Sequence, residues 1–399
     1  MDRILRDPRA WGLMFAAMLT IMSNATITPA LPGLQAIFAD NPDAAFLTRL
    51  LITAPSLMVA IIAPFAGVMV DRLGRRGPLL TGLAVYFIAG TAGLYLQSLE
   101  AILASRLLLG FGVALIMTSQ AALIGDYFDG PERARLMGYQ IASTNLGGLI
   151  FVMVAGVLAV QNARLPFLIY GLALPMIPLL SRLLPEPPRV EPGDPARHAA
   201  AAGEPGWQMT VATMAFAAAL TFMIFYGVPT QLPYHLAQIG LDDPRQAGEV
   251  MGAMMLSAAL MAVASGWLRP YLGRIGMPVC GFLLMGAGFY SLGQADGLVS
   301  AMASTPMIGA GLGLAVPTFV TRSLNAAPAH RRGLVSGLVT ASFFFGQFLS
   351  PIASQPLVAR WGYPTTFTIA AAAFVFLAVL LTVMLWRQPT VVDTSRRVR

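Results

Sequence analysis

The sequence predicts an all-α membrane protein, with twelve transmembrane helices arranged as two pseudo-symmetric six-helix bundles. Three observations predict this class: the composition, the spacing of the apolar runs, and a repeat relating the two halves of the chain. The 399 residues are 57% hydrophobic and only 11% charged, with a mean hydropathy of +0.71. Soluble domains carry about 25% charged residues, so lipid is the solvent for most of this chain. The net charge of +7 does not point to nucleic acid, because the basic residues stand singly between apolar runs rather than along one face. Cys280 is the only cysteine, which excludes an intrachain disulfide and a thiolate metal cluster. His198, His235 and His330 are too far apart for ligand spacing. No nucleophile–base set and no phosphate loop is present, so neither an enzyme nor a cofactor or metal is expected.

In chain order, runs of roughly 20 apolar residues, the length that spans a bilayer, lie at about 11–31, 46–69, 78–97, 101–124, 136–159 and 164–184. Six more follow at about 207–231, 246–269, 277–295, 298–321, 334–357 and 363–386. They lack the alternation of barrel strands, which leaves helices as the structure that satisfies its own backbone in hydrocarbon. The first run begins after a charged MDRILRDPRAW segment but outlasts a signal peptide's apolar region, so it reads as an uncleaved first span. The proline- and charge-rich PEPPRVEPGDPARHAAAAGEPG reads as a linker. The organisation expected is thus a bundle over 1–184, a linker over 185–206, a second bundle over 207–386 and a tail over 387–399.

The arginines set the orientation. With the N-terminus inside, Arg49, Arg164, Arg245 and Arg360 fall at outer span ends and Arg106 within a span. The others, among them Arg72, Arg75, Arg76, Arg133, Arg135, Arg274, Arg331 and Arg332, gather on the inner side. Both termini are therefore expected in the cytoplasm, and a bacterial inner membrane as the location.

The repeat appears at a shift of 199 residues. GVMVDRLGRRG starts at Gly67 and GWLRPYLGRIG at Gly266. The same shift pairs Gly74 with Gly273, Arg75 with Arg274, Gly77 with Gly276, Gly110 with Gly309, Gly112 with Gly311, Arg133 with Arg332 and Gly138 with Gly337. A register held over some 70 residues implies a duplication, a two-fold axis along the membrane normal, and a cavity at the midplane between the halves.

The first copy lies between spans two and three. Gly67 suits a close helix approach, Asp71 is placed to cap a neighbouring helix N-terminus, Gly74 permits a tight turn, and Arg75 and Arg76 suit acids and anionic headgroups. This stretch resembles the signature loop of the major facilitator superfamily, Gly-x-Leu-x-Asp-Arg-x-Gly-Arg-Arg/Lys, at Gly67, Asp71, Arg72, Gly74, Arg75 and Arg76. The second copy, with Gly266, Gly273 and Arg274, has Pro270 where the aspartate would stand. The resemblance implies a conformational latch that holds the halves together on the cytoplasmic side, with Asp126 at the end of span four as the partner acid.

Span four resembles the proton-antiporter branch of that family, whose motif Arg-x-x-x-Gly-x-Gly falls on Arg106, Gly110 and Gly112. Arg106 lies roughly 8 Å from the outer end at 1.5 Å per residue, so two placements fit it: snorkelling to the outer interface, or facing a cavity as a proton relay or counter-charge. In span five, Gly147 and Gly148 match that branch, while Ser143 and Thr144 replace its Gly-Pro; packing against span eight also accounts for the two glycines. No acid lies deep in any span. Ser23 and Asn24 stand where the drug-exporter branch often has one, and Asp71, Asp126, Glu249 and His235 are the titratable candidates for coupling. Asn145, Tyr226 and Gln347, with Phe222, Phe225 and Phe343 to Phe345, suit a neutral cavity for a lipophilic or weakly polar solute.

The function expected is secondary transport by alternating access: proton-coupled export of small amphipathic or drug-like compounds. The alternatives are transport of a small organic anion or metabolite with Arg106 as counter-charge, and a non-transporting sensor or assembly factor. The partners expected are a small-molecule substrate, the proton and the lipid bilayer, with no nucleic acid, in a monomer.

Overall fold

The computed structural model describes residues 3–187, 204, 206–328 and 331–386. Most of the expected linker, the tail over 387–399, His198 and His330 lie outside these residues. Span one runs Pro8–Ala25 and, after a short 3-10 turn at Thr28–Ala30, Leu31–Ile37. Spans two to five are Ala44–Leu73, Arg76–Thr91, Leu99–Tyr127 and Gly130–Gln161. Span six joins a 3-10 stretch, Leu165–Leu172, to Ala173–Leu183. Span seven is Trp207–Phe225 followed by Gly227–Gln238. Spans eight and nine form Pro244–Gly293, divided at Gly273, and span ten is Leu298–Ala326. Spans eleven and twelve form Arg332–Trp386, divided at Gly362.

Eleven segments of the described residues are long and apolar enough to cross a membrane. The last covers 52 residues, and the break at Gly362 (φ 74°) makes it two, which gives the twelve expected. Local chemistry starts several of them. The side chains of Asp7, Ser98 and Asp243 accept the backbone N–H groups of Arg9, Ala101 and Arg245 at 2.8, 3.2 and 2.9 Å, filling otherwise orphaned donors. Arg3–Arg6, Leu184, Gly206 and Trp386 lie on one face of the helix array, called the linker side; the loops at 38–43, 95–98, 162–164, 239–243 and 294–297 lie on the opposite, far side.

The buried apolar residues form two clusters, one drawn from Ile4 to Leu184 and the other from Val211 to Leu381 with Val152 of span five. The 199-residue repeat is visible in their packing. A Cβ on Gly110 would collide with the Pro55 carbonyl oxygen, and one on Gly309 with that of Met254, the position 199 residues after Pro55. Gly82 and Gly112 crowd each other's backbones just as Gly281 and Gly311 do. Gly74 and Gly273 both have positive φ, 93° and 66°, the conformation that excludes a Cβ at low cost. The interruptions of span one after Ala25 and of span seven at Tyr226 also fall at equivalent places.

The two halves touch on the far side. Gly156 of span five packs on Pro244 and Arg245, and Gly248 of span eight on Val152. The Thr48 and Tyr234 hydroxyls are 3.0 Å apart. Toward the linker side they part: no neighbouring atom of the described residues lies within 4 Å of where a Cβ would stand on Gly67, Gly138, Gly266, Gly273 or Gly337. Among the described residues Gly67 meets no neighbouring helix in this arrangement. One expectation is corrected here. Gly147 packs against Met18 of span one and not against span eight, whose contact with span five runs through Gly156, Gly248 and Gly252; Gly148 is buried.

Candidate functional site

A cavity of about 260 Å³ lies midway between the halves. Spans one, four and five contribute Thr20, Asn24, Met117, Thr144 and Asn145 to it. The facing wall carries Phe222, Phe225, Tyr226 and Pro229 from span seven, with Met251, Met254 and Met255 from span eight. Ala258 of span eight, Leu312 of span ten, and Phe344 and Gln347 of span eleven complete it. The break at Tyr226 ends one helical piece and starts the next, which sets an aromatic cluster at the wall: Phe222 lies 6.2 Å from Phe225 and 4.7 Å from Phe343. Among the described residues no formally charged side chain lines the cavity. Asn145, Tyr226 and Gln347 are thus brought together as expected, along with Phe222, Phe225 and Phe344. Phe343 stands behind Phe222, and Phe345 is exposed.

Two polar layers close the far side of the cavity. In the first, Asn24 Nδ2 donates to Ser56 Oγ at 2.9 Å and to Gln347 Oε1 at 3.0 Å, and Ser56 Oγ donates to Gln347 Oε1 at 2.8 Å. All three are buried. The second layer stands two helical turns farther out, about 10 Å at 1.5 Å per residue. There Arg49 Nε donates to Gln231 Oε1 at 2.9 Å, and its Nη2 donates to the Tyr363 hydroxyl at 3.3 Å. The guanidinium lies 3.7 Å from the Tyr234 ring centre. Gln231 Nε2 in turn donates to Ser354 Oγ at 2.9 Å. Arg49, expected as an outer-side arginine, is only 4% exposed and joins the halves. Gly362 turns the chain so that Tyr363 enters this layer.

Arg106 is fully buried, and no guanidinium nitrogen has a hydrogen-bond partner among the described residues. Its neighbours are the ring faces of Phe167 and Tyr170, at 4.6 and 4.5 Å. It neither snorkels nor lines the cavity, so both placements expected for it are corrected; it sits inside the first bundle against span six. Gly110 and Gly112, one turn along, hold spans two and three close.

On the linker side, Arg75 Nε pairs with Asp126 Oδ2 at 2.9 Å, the partner the resemblance implied. The N-terminus of span three is capped by Glu186, whose carboxylate oxygens accept the backbone N–H groups of Arg75 and Arg76 at 2.6 and 2.8 Å. Arg76 also donates to the Ser181 carbonyl. Glu186 therefore takes a capping place of the kind expected for Asp71. The side chains of Asp71 and Arg274 lie outside what the structure describes. Glu204, at the other end of the linker, pairs with Arg322 at 2.9 Å. Among the coupling candidates, Glu249 is exposed, while His235 is buried with Nε2 3.1 Å from the Leu292 carbonyl. No Asp or Glu is buried among the described residues.

Sequence reasoning missed Ser56, Gln231, Tyr234, Tyr363 and Glu186, and passed over Asn24. A usable signal was the seven-residue spacing of Arg49 with Ser56 and of Gln347 with Ser354, which stacks polar groups on one helix face.

The comparisons with known proteins bear on this geometry. The model of the Major Facilitator Superfamily matches residues 13–351. Multidrug resistance protein 1 of Bacillus subtilis is 25% identical over 359 residues, 86% of this chain and 90% of its own length. The human vesicular acetylcholine transporter is 29% identical over 158 residues, 39% of this chain; the match spans only about a third of the length of such vesicular relatives. The structure of the xylose transporter from E. coli in its inward open conformation superposes with a TM-score of 0.75 at 17% identity, over 95% of each chain. A family match over most of the chain, joined to twelve spans in two repeated bundles, places this protein in the Major Facilitator Superfamily of multi-pass membrane transporters.

Proposed function

We propose that this chain is a monomeric secondary transporter of a bacterial inner membrane, with both termini cytoplasmic, that exports small amphipathic compounds in exchange for protons. The observation that carries this reading is an uncharged cavity between the halves, closed on the far side by two polar layers and flanked by parted helices on the linker side. A solute site reached from one side is one end-state of alternating access. The full-length similarity to Multidrug resistance protein 1 of Bacillus subtilis supports export of drug-like solutes. In this reading the bundles are 1–184 and 207–386, the linker is 185–206 and the tail 387–399.

We assign the roles as follows. Asn145, Tyr226 and Gln347 contact the solute. Gly67, Asp71, Arg72, Gly74, Arg75, Arg76 and Asp126, with Gly266, Gly273 and Arg274 of the second copy, form the latch that engages when the linker side closes. Arg106, held by aromatic faces and by no anion, serves coupling within the first bundle. The organic-anion alternative needs Arg106 at the solute, and Arg106 does not line the cavity.

The test is a drug-panel assay in inverted vesicles with and without a proton gradient. Gradient-dependent uptake is expected, and Asp71→Asn is expected to depress it at least about tenfold with expression intact. Uptake that ignores the gradient would remove the coupling claim, and full turnover by Asp71→Asn would remove the latch.

A further inference from the structure

Three of the polar side chains lining the cavity turn a donor hydrogen back on their own helices. Thr20 donates to the Ala17 carbonyl at 2.7 Å, Thr144 to Gln140 at 2.9 Å and Asn145 to Ile141 at 2.9 Å. Gln347 does not. Its Oε1 accepts from Asn24 and from Ser56, which occupies both lone pairs. Nε2 is left with two N–H donors and no partner among the described residues, on a side chain that lines the cavity and is only 5% exposed. A cavity-facing donor without a protein acceptor is left to water, and a solute that displaces the water without replacing its acceptor incurs about 1–3 kcal/mol. An acceptor arriving with a solute removes that cost.

The charge balance of the cavity says which acceptor. No cation lines it, so a carboxylate would lose its hydration with nothing to offset the loss. A carbonyl, amide or sulfoxide oxygen brings an acceptor without a net charge. Around it, Met117, Met251, Met254 and Met255 offer flexible, polarisable walls that adapt to differing apolar shapes.

Resting on the proposal that this cavity is the solute site, we propose that Gln347 is its specificity-determining residue. Its Nε2 donors take the acceptor oxygen of an uncharged, otherwise lipophilic solute. Because Oε1 of the same amide is bonded to Asn24 and Ser56 in the other half, the solute docks directly onto a bridge between the halves.

The test uses the full chain in liposomes and benzophenone, an uncharged diaryl ketone that inserts into nearby C–H bonds on irradiation. Saturable labelling is expected at Met251, Met254 or Met255. Two competitors of one skeleton then separate the hydrogen bond from the apolar fit: diphenyl sulfoxide, which carries an acceptor, and diphenylmethane, which carries none. At matched membrane-phase concentrations the sulfoxide is expected to protect about tenfold better in the wild type, and Gln347→Leu is expected to abolish that preference. Equal protection by the two compounds in the wild type overturns the role of Gln347 while leaving the cavity as the solute site. So does a preference that survives Gln347→Leu. Labelling that bypasses the cavity methionines overturns the cavity reading, and this one with it.

Discussion

Arg49 and Arg106 are both buried, and neither meets a carboxylate of the described residues. For Arg49 the cost of burial is offset by hydrogen bonds to Gln231 and Tyr363 and by the Tyr234 ring. For Arg106 only ring faces remain, and a cation–π contact contributes about 2 kcal/mol when desolvated, less than the several kcal/mol an ion loses on burial. Two mutants separate these cases. Arg49→Ala strips the outer layer of its central donor. A cysteine placed at Ser56, with Cys280→Ser to silence the native thiol, is then expected to react at least about tenfold faster with a membrane-impermeant reagent from the far side; an unchanged rate would mean that this layer is no seal. Arg106→Leu removes an uncompensated charge, so thermal unfolding is expected at an equal or higher temperature while gradient-dependent transport is lost. A lower melting temperature would mark Arg106 as structural. The sequence made Arg106 conspicuous, because a charge in an apolar run stands out. It hid Arg49, whose partners Gln231 and Tyr363 lie 182 and 314 residues away.

At the scale of single helices, hydropathy placed every span, since the bilayer imposes one length on all of them. The breaks within spans one and seven were not legible: proline and glycine are common in membrane helices, and only packing around the cavity selects which of them interrupt. Glycines divide in the same way. Gly309→Ala would set a methyl against the Met254 carbonyl, and overpacking of this kind costs about 1–3 kcal/mol, so a lower melting temperature is expected. Gly67→Ala meets nothing within 4 Å and is expected to melt like the wild type. If the latch closes on Gly67 in the opposite state, that mutant nonetheless transports more slowly. Normal melting and normal transport together would free Gly67 of any role. The motif singles out Gly67 without saying in which state a neighbour would meet it.

For the whole molecule, the duplication was the most legible feature, and it reappears as matched backbone contacts at Gly110 and Gly309. Which side is closed was not legible. In the proposed cycle one sequence serves both end-states, which then differ by only a few kcal/mol, and cross-half contacts such as Asn24 with Gln347 contribute to that margin. The absence of formal charge from the cavity wall has an electrical consequence. If the solute carries no charge and a proton returns in its place, every cycle moves one positive charge across the bilayer. Membrane voltage alone then supplies about 2.3 kcal/mol per 100 mV. A potassium diffusion potential set with valinomycin, at equal pH on both sides, is therefore expected to drive accumulation of an uncharged drug; a cycle indifferent to voltage would require the charge to be balanced by some other ion.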